Sequence, residues 1–249
     1  MIDLSAHCVG HWKLNDNLPS ANVVNETGPD GTLMGGAYTQ DKSVTGKIGG
    51  ALEFDGVGDY VDCGDLAGFD FGEGQDFSIS LWFALAAVGN KPVNMINKRE
   101  NGGEYKGYWI FYEGRAAEGN YRKVVFMLDT GPSTPSAVSS SYVDDGQWHH
   151  VVGMREGSTL RLFLDGIQEG GDVSSEGYDA NISNSNTLKI ASRHIPSINF
   201  FPGRLDNVMI FDRALSSGEV GLLWNNGSGT ESLQLGIARS LVGNRKGLV

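Results

Sequence analysis

Residues Asp144 to Gly171 read DDGQWHHVVGMREGSTLRLFLDGIQEGG. Trp148, His150, Val152 and Met154 share one parity, and His149, Val151, Gly153 and Arg155 share the other. Successive side chains of a strand point to opposite faces of a sheet. Two adjacent histidines on a strand therefore cannot both reach one metal ion or one substrate. Leu160, Leu162 and Leu164 then alternate with Thr159, Arg161 and Phe163, and Gly157-Ser158 joins the two runs as a β-hairpin. Asp165-Gly166 supplies the positive-φ residues of a second tight turn. The stretch predicts framework strands with one of the two histidines turned inward and hydrogen-bonded in the core.

The same rhythm runs outward through the chain. Cys8–Leu14, Ala51–Phe54 and Tyr60–Cys63 read as strands, the last two flanking the loop FDGVGDY. Phe77, Ile79, Leu81, Phe83 and Leu85 form a strict period-2 face. Tyr108–Tyr112, Val124–Leu128, Leu188–Ala191 and Leu205–Phe211 follow. In the last of these, Asp206 shares parity with Val208 and Ile210. The 36 glycines among 249 residues suit many tight turns and few long helices. One helix is predicted. Ser216-Ser217-Gly218-Glu219 fits a capping box, Val220, Leu223 and Trp224 make an apolar stripe, and Asn225-Asn226-Gly227 offers a left-handed stop. That helix is expected across one end of the sandwich. The pattern predicts an all-β, two-sheet antiparallel sandwich or jelly roll over residues 1–231, with one short C-terminal helix.

Residues 232–249 form a separate tail beyond a Gly-Ser-Gly linker. The tail is apolar, and it carries Arg239, Arg245 and Lys246 in a chain whose net charge is −11. Two readings stand for it: a strand or arm folded back on its own domain, or an arm docked on a neighbouring subunit of an oligomer or larger assembly. The acidic balance argues against a nucleic-acid partner. It keeps the chain in solution and leaves room for divalent cations. No apolar run approaches transmembrane length, and the N-terminus lacks the basic and apolar regions of a Sec signal peptide. Cys8 and Cys63 match no zinc spacing. They read as two buried thiols, with a disulfide as the alternative if both lie on neighbouring strands.

Five blocks in order carry a family resemblance: HWKLND, VTGKIGGALEFDGVGDYVDCG, FSISLWF, DGQWHHVVGMREGSTLRLFLDGIQ and FFPGRLDNVMIFDRALSSGEV. Together they resemble the laminin-G-like, concanavalin A-like lectin/glucanase jelly-roll family over roughly residues 6–229. The resemblance implies two antiparallel sheets, often one bound calcium, and sugar or protein binding as the usual role. It matches the family's metal position to the Asp55–Asp59 loop and Asp206, with Asp16 as a third candidate. Asn25-Glu26-Thr27-Gly28 stands where the family often has Asp-Ser-Ser-Gly, a departure at that turn. Asp206 also has a chemical argument. A carboxylate on a strand apolar on both faces needs a partner, for which a structural calcium, Arg204 and Lys189 are the alternatives.

Glucanases of this superfamily place carboxylates in an ExDxE or ExDxxE arrangement on one strand face, about 5 Å apart for retention. This chain has no such run. Asp62 and Asp65 lie on opposite parities without a Glu partner. No nucleophile elbow, HExxH or phosphate loop appears either. A non-catalytic, lectin-like recognition module is expected, with a glycan or other surface ligand. The stacking faces and fixed polar groups such a site needs are offered by Trp109, Tyr112, Arg115 and Tyr121, and by Arg193 and His194 with Phe200-Phe201. The plainer reading puts Trp109 and Phe111 in the core, with Tyr108 and Tyr112 over an exposed strand face. The layout, one such domain with a sticky arm, is similar to virion decoration proteins of phages and viruses. That implies a virion or extracellular surface, or a purely structural decoration role.

Overall fold

The computed structural model describes residues 2–86, 88–100, 102, 105–193 and 199–235. In chain order the elements begin with β1 (Ile2–Asp3), β2 (Cys8–Trp12), β3 (Asn22–Val23) and β4 (Gly31–Met34). Next come α1 (Thr39–Lys42), β5 (Ser43–Thr45), β6 (Gly50–Asp55), β7 (Tyr60–Asp62) and β8 (Phe77–Ala86). The middle of the chain forms β9 (Val93–Arg99), β10 (Lys106–Glu113), β11 (Lys123–Thr130), β12 (Ser136–Val138), β13 (Asp145–Glu156), β14 (Thr159–Leu164) and β15 (Ile167–Ser174). It closes with β16 (Lys189–Ile190), β17 (Pro202–Phe211), α2 (Ser217–Trp224) and β18 (Gln234–Leu235).

The front sheet runs β12-β11-β10-β9-β16-β7-β4-β3. The back sheet runs β15-β14-β13-β8-β17-β6-β5, with β2 also paired to β17. The ladders are antiparallel, and the two sheets close as the jelly-roll sandwich that the alternation predicts. The inner faces meet in one core. Phe77, Ile79, Leu81, Phe83 and Leu85 of β8 face Tyr108, Ile110 and Tyr112 of β10 and Val124, Phe126 and Leu128 of β11. Burying each large apolar side chain stabilises the fold by roughly 1.5–3 kcal/mol. Gly153 of β13 lets the Phe126 ring lie against the opposing backbone; a Cβ there would stand 2.5 Å from that ring.

The opening stretch folds as read. Glu156 pairs Thr159 across Gly157-Ser158. Leu164 pairs Ile167 across Asp165-Gly166, whose φ values of 51° and 79° fit a type I′ turn. The capping box is present: Ser216 Oγ accepts from Glu219 N–H at 3.3 Å, and Ser216 N–H donates to Glu219 Oε2 at 2.8 Å. Asn225, at φ 49°, ends the helix.

Several expectations need correction. The helix lies over the outer face of the back sheet rather than across an end of the sandwich. Its Val220 and Leu223 pack with Val152, Met154, Phe163, Met209 and Phe211. Asp206 does not share a face with Val208 and Ile210. Asn207 adopts φ 51° at a bulge, so Asp206 and Met209 both face outward while Val208 and Ile210 face the core. His11 Nε2 to Asn207 Oδ1 at 2.8 Å, and Asn207 Nδ2 to Thr230 O at 2.7 Å, pin that bulge. Cys8 and Cys63 are both buried free thiols. They belong to different apolar clusters, one on each side of the back sheet, so the disulfide alternative is not made. The tail turns back at its start. Gln234 and Leu235 pair with Asp3 and Ile2, and Leu233 packs beneath the helix. The cations Arg239, Arg245 and Lys246 lie outside the described residues.

Candidate functional site

The two adjacent histidines point to opposite faces. His149 is held at the strand end between two carboxylates, Asp165 at 2.8 Å and Asp145 at 3.2 Å. The Asp165 hydrogen bond raises its pKa above the ordinary imidazole value. His150 lies on the outer face of the back sheet, under the helix rather than in the core between the sheets. Its Nε2 meets Ser80 Oγ at 2.8 Å, while its Nδ1 is buried without a hydrogen-bond partner. Burial pushes its pKa down to about 4. Trp82 covers one side at 5.0 Å, and Trp224 stacks on Trp82 at 5.2 Å and 18°. Both histidines are framework.

The metal candidates are not gathered in one place. Asp59 is buried and ion-paired with Lys42. Asp55 Oδ1 accepts from the backbone N–H groups of Val57, Gly58 and Asp59. Asp16 accepts from Val24 N–H at 3.1 Å, and burial raises its pKa. Asp55 pairs across the ladder with Pro202, four positions before Asp206. That separation is about 13 Å along a strand. Asp206 and the Asp55–Asp59 loop therefore cannot share one calcium, whose ligands stand at about 2.3–2.6 Å. Asp206 itself is fully buried, and its Oδ2 accepts from Ile48 N–H at 2.8 Å. Its Oδ1 has no hydrogen-bond partner. Burial pushes its pKa up to about 7, and Glu231 adds to the rise. No three His, Cys, Asp or Glu side chains converge on a metal position among the described residues.

The front sheet carries the most ligand-like feature, and it reverses the expected facing of β10. Tyr108 and Tyr112 are the core residues, each about 1% exposed. Tyr108 donates to Phe69 O at 3.0 Å and Tyr112 to Asp144 Oδ2 at 2.9 Å. Trp109 and Phe111 face outward and stack on each other at 6.2 Å and 28°. Val125, Met127 and Val138 pack around them as a cluster separate from the main core. The register sets one polar and one apolar neighbour beside each ring: Asn97 and Met127 beside Trp109, Asn94 and Val125 beside Phe111.

The result is an open groove of about 470 Å³. Pro92, Thr134 and Asn199 rim it, and Asn94, Asn97, Arg99, Arg115 and Arg193 supply its polar groups. The Arg99 guanidinium lies 4.8 Å from the Trp109 ring centre, held by Asp129 Oδ2 at 2.6 and 3.0 Å. Arg115 forms a two-bond fork with Glu113 at 2.9 and 2.6 Å. A stacking floor with fixed amide and guanidinium donors is the composition of a small-ligand site.

Of the residues selected from sequence, Trp109, Arg115 and Arg193 meet in this groove. Tyr112 does not belong, since it faces the core. Tyr121 is exposed but does not line the groove, and His194 lies outside the described residues. Asn94, Asn97 and Arg99 were missed because β9 was not read as a strand. Its VNMINKR places polar side chains among apolar ones at alternating and bulged positions, a signal that was present. No described helix is long and apolar enough to cross a membrane.

Solved structures share this architecture. The binding domain of Paraclostridial Mosquitocidal Protein 1 matches at TM-score 0.67 and 16% identity, over 90% of this chain and 53% of that one. Domain 4 of AbnA, a GH43 extracellular arabinanase from Geobacillus stearothermophilus, solved with arabinotriose, matches at TM-score 0.60 and 17% identity. The match covers 86% of this chain and 97% of that domain. A botulinum neurotoxin type C structure, whose cell entry depends on two ganglioside molecules, matches at TM-score 0.60 and 15% identity, over 93% and 52%. The chain thus spans about half the length of the toxin structures it matches. At these identities the likeness is one of fold. No curated protein matches the chain as a relative. The laminin-G model of the concanavalin A-like lectin/glucanases superfamily matches residues 55–221, and the chain belongs to that superfamily.

Proposed function

We propose that this chain is a non-catalytic, lectin-like carbohydrate-binding module that works at an extracellular or virion surface. Its site is the front-sheet groove. The observation that carries this reading is the outward pair Trp109–Phe111, a stacked aromatic floor set beside Asn94, Asn97 and three arginines. Sugar rings present C–H faces that pack on aromatic rings, while their hydroxyls take directional hydrogen bonds from fixed amides. An arabinanase domain solved with arabinotriose shares the fold and supports the reading. Neither an on-strand pair of same-face acids nor an activated nucleophile was found in the sequence, which supports a binding role over hydrolysis.

Calcium is proposed as a structural ligand at Asp206, whose Oδ1 lacks a protein partner and which has Glu231 nearby. The decoration role and the inter-subunit arm over residues 236–249 remain part of the proposal. The chain's first tail residues, 233–235, instead bind their own domain.

The test is a glycan array followed by calorimetry on the best ligand. Trp109→Ala is expected to weaken binding at least tenfold with the circular dichroism spectrum unchanged. Full binding in Trp109→Ala would move the site elsewhere. An array with no ligand at all would leave the purely structural decoration role.

A further inference from the structure

The groove differs from the rest of the molecule in its charge. The chain holds 30 acidic against 19 basic residues. Yet among the described residues lining the groove, Arg99, Arg115 and Arg193 are basic and none is acidic. The comparable hollow at the edge of the back sheet is mixed, with Asp41, Glu53 and Asp55 beside Lys42 and Arg204. The carboxylates that hold Arg99 and Arg115, Asp129 and Glu113, are buried behind the guanidiniums and do not line the groove. They set the orientation of each fork, and Glu118 meets the other end of Arg115 at 3.5 Å, so Arg99 is the more open of the two.

We propose, building on the carbohydrate-binding reading, that the sugar taken by this groove is acidic, its carboxylate or sulfate held between Arg99 and Arg193 with Arg115 at the mouth. The donor inventory argues for this. A neutral sugar offers hydroxyls that both donate and accept. Lectin sites for such sugars need acceptors as well as donors on the protein. Guanidiniums only donate. Here the side-chain acceptors on the lining are the amide oxygens of Asn94, Asn97 and Asn199 and the Thr134 hydroxyl. A planar anion matches the guanidinium fork, and the charge-assisted bonds are stronger than neutral ones.

Arg99 and Arg193 line the same groove, and the charge of one acts on the other. Arg193 is partly buried, and burial together with the Arg99 charge lowers its pKa. Arg99 cannot swing away. Asp129 holds it at two N–H groups, and the Trp109 and Tyr105 rings flank it at 4.8 and 5.4 Å. The groove is thus shaped in advance, with the sugar ring on Trp109–Phe111 and the charged group toward Arg99 and Arg193. Steering of an acidic ligand toward this spot also overcomes the repulsion from an otherwise acidic surface.

Matched pairs decide it. Binding of the full chain is measured by calorimetry for sialyllactose against lactose, oligogalacturonate against its methyl ester, and a sulfated disaccharide against its desulfated form. One acidic member is expected to bind at least tenfold more tightly than its neutral partner. The preference should shrink as salt rises from 50 to 500 mM, because the contact is ionic. Which pair shows the preference distinguishes carboxylate from sulfate. Arg193→Gln should bring the pair near parity, and Arg115→Gln at the mouth should reduce the preference. Trp109→Ala should weaken both members alike. Equal affinity within all three pairs, with Trp109→Ala still weakening them, would overturn the acidic-sugar inference and leave the lectin reading standing. No binding by any of the six, with a neutral glycan bound on the array, would overturn the acidic-sugar inference alone, and an array without any ligand would bring down both.

Discussion

The two sheets of this sandwich both turn aromatic residues outward, but only one of those outer faces is roofed. On the back sheet, Trp82 lies in a cross-strand row with His150 and Asp206. The helix α2 and Trp224 close over that row, and the tail's first residues pack beside them. On the front sheet, Trp109 and Phe111 occupy the equivalent exterior and are bordered by loops and arginines instead. The same residue type is thus covered by the chain's own helix on one face and floors an open groove on the other. The difference lies in the segments that the chain lays over each sheet, and the strands themselves do not reveal it.

The sharpest break of this comparison exchanges each tryptophan for alanine. Trp82→Ala removes a side chain 1% exposed and leaves Trp224 and His150 without their stacking partner. A loss of about 3–5 kcal/mol is expected, read as the midpoint shift in urea. Trp109→Ala removes a side chain 9% exposed at the floor of an open groove, where solvent can fill the space left, and should cost less, about 2–3 kcal/mol. Equal losses at the two sites would show that the front face is core as well, and the docking reading would lose its basis.

How much of the molecule was legible in its sequence divides along the same line. The tight turns at Gly157-Ser158 and Asp165-Gly166 and the capping box at Ser216–Glu219 depend on residues adjacent in sequence, and they could be read. The facing of β10 could not. Tyr108, Ile110 and Tyr112 on one parity and Trp109 and Phe111 on the other are all apolar or aromatic, so alternation gives no contrast. A strand with a core on one side and the aromatic floor of a groove on the other has no polar face. The Asn207 bulge was hidden too, since one inserted residue changes parity without any change in composition. Its partners, His11 and Thr230, are far away in sequence. The groove's remaining polar members sat on β9, which a pattern search for clean alternation passes over.

The roofed face also has a pH signature. His150 is neutral in the fold, since burial pushes its pKa down to about 4 from an ordinary 6.5, while Asp165 acts weakly in the other direction. The unfolded chain binds a proton near pH 6.5 and the native one resists, so stability is lost as pH falls from 6.5 toward 4. A depression of that size corresponds to about 3 kcal/mol. His149 works with the opposite sign. Its raised pKa contributes stability that is present below 6.5 and lost as pH rises through its folded value. His150→Phe keeps a ring beside Trp82 and Trp224 and removes the first effect. Its unfolding free energy between pH 6.5 and 4 should fall less steeply than that of wild type. Parallel profiles would mean that water reaches His150 and the roof is loose.

A gentler probe lies at the turn beneath the roof. Gly166 adopts φ 79°, and a Cβ there would stand 2.6 Å from Trp224 Cδ1. Gly166→Ala should therefore destabilise by about 1–3 kcal/mol, from backbone strain and from displacement of the Trp224 ring. Gly157→Ala is the control. It has a positive φ of 52° but nothing within 4 Å of its Cβ, so only the strain remains. The roof contribution is the difference between the two midpoints in urea. If the two variants unfold together, Trp224 adds nothing to the cover.

The smallest effect expected is at Asp206, the third member of the row under the roof. Its Oδ1 is buried and lacks a hydrogen-bond partner, so ionising it without a cation is costly. A calcium ion bound there would stabilise only the native state, by mass action. With calcium about tenfold above its dissociation constant, the gain is about 1.4 kcal/mol. Melting at pH 8 should therefore move upward when EDTA is replaced by millimolar calcium, and magnesium should do less because it demands a tighter octahedral shell. Asp206→Asn removes the charge that holds the ion and should erase the calcium response. Asp59→Asn should preserve it, because Asp59 belongs to Lys42 and lies in the separate loop. Superimposable melting curves in calcium and EDTA would leave the Asp206 oxygen to a proton or a buried water. A response abolished by Asp59→Asn and kept by Asp206→Asn would return the metal to the Asp55–Asp59 loop, and with it away from the roofed face.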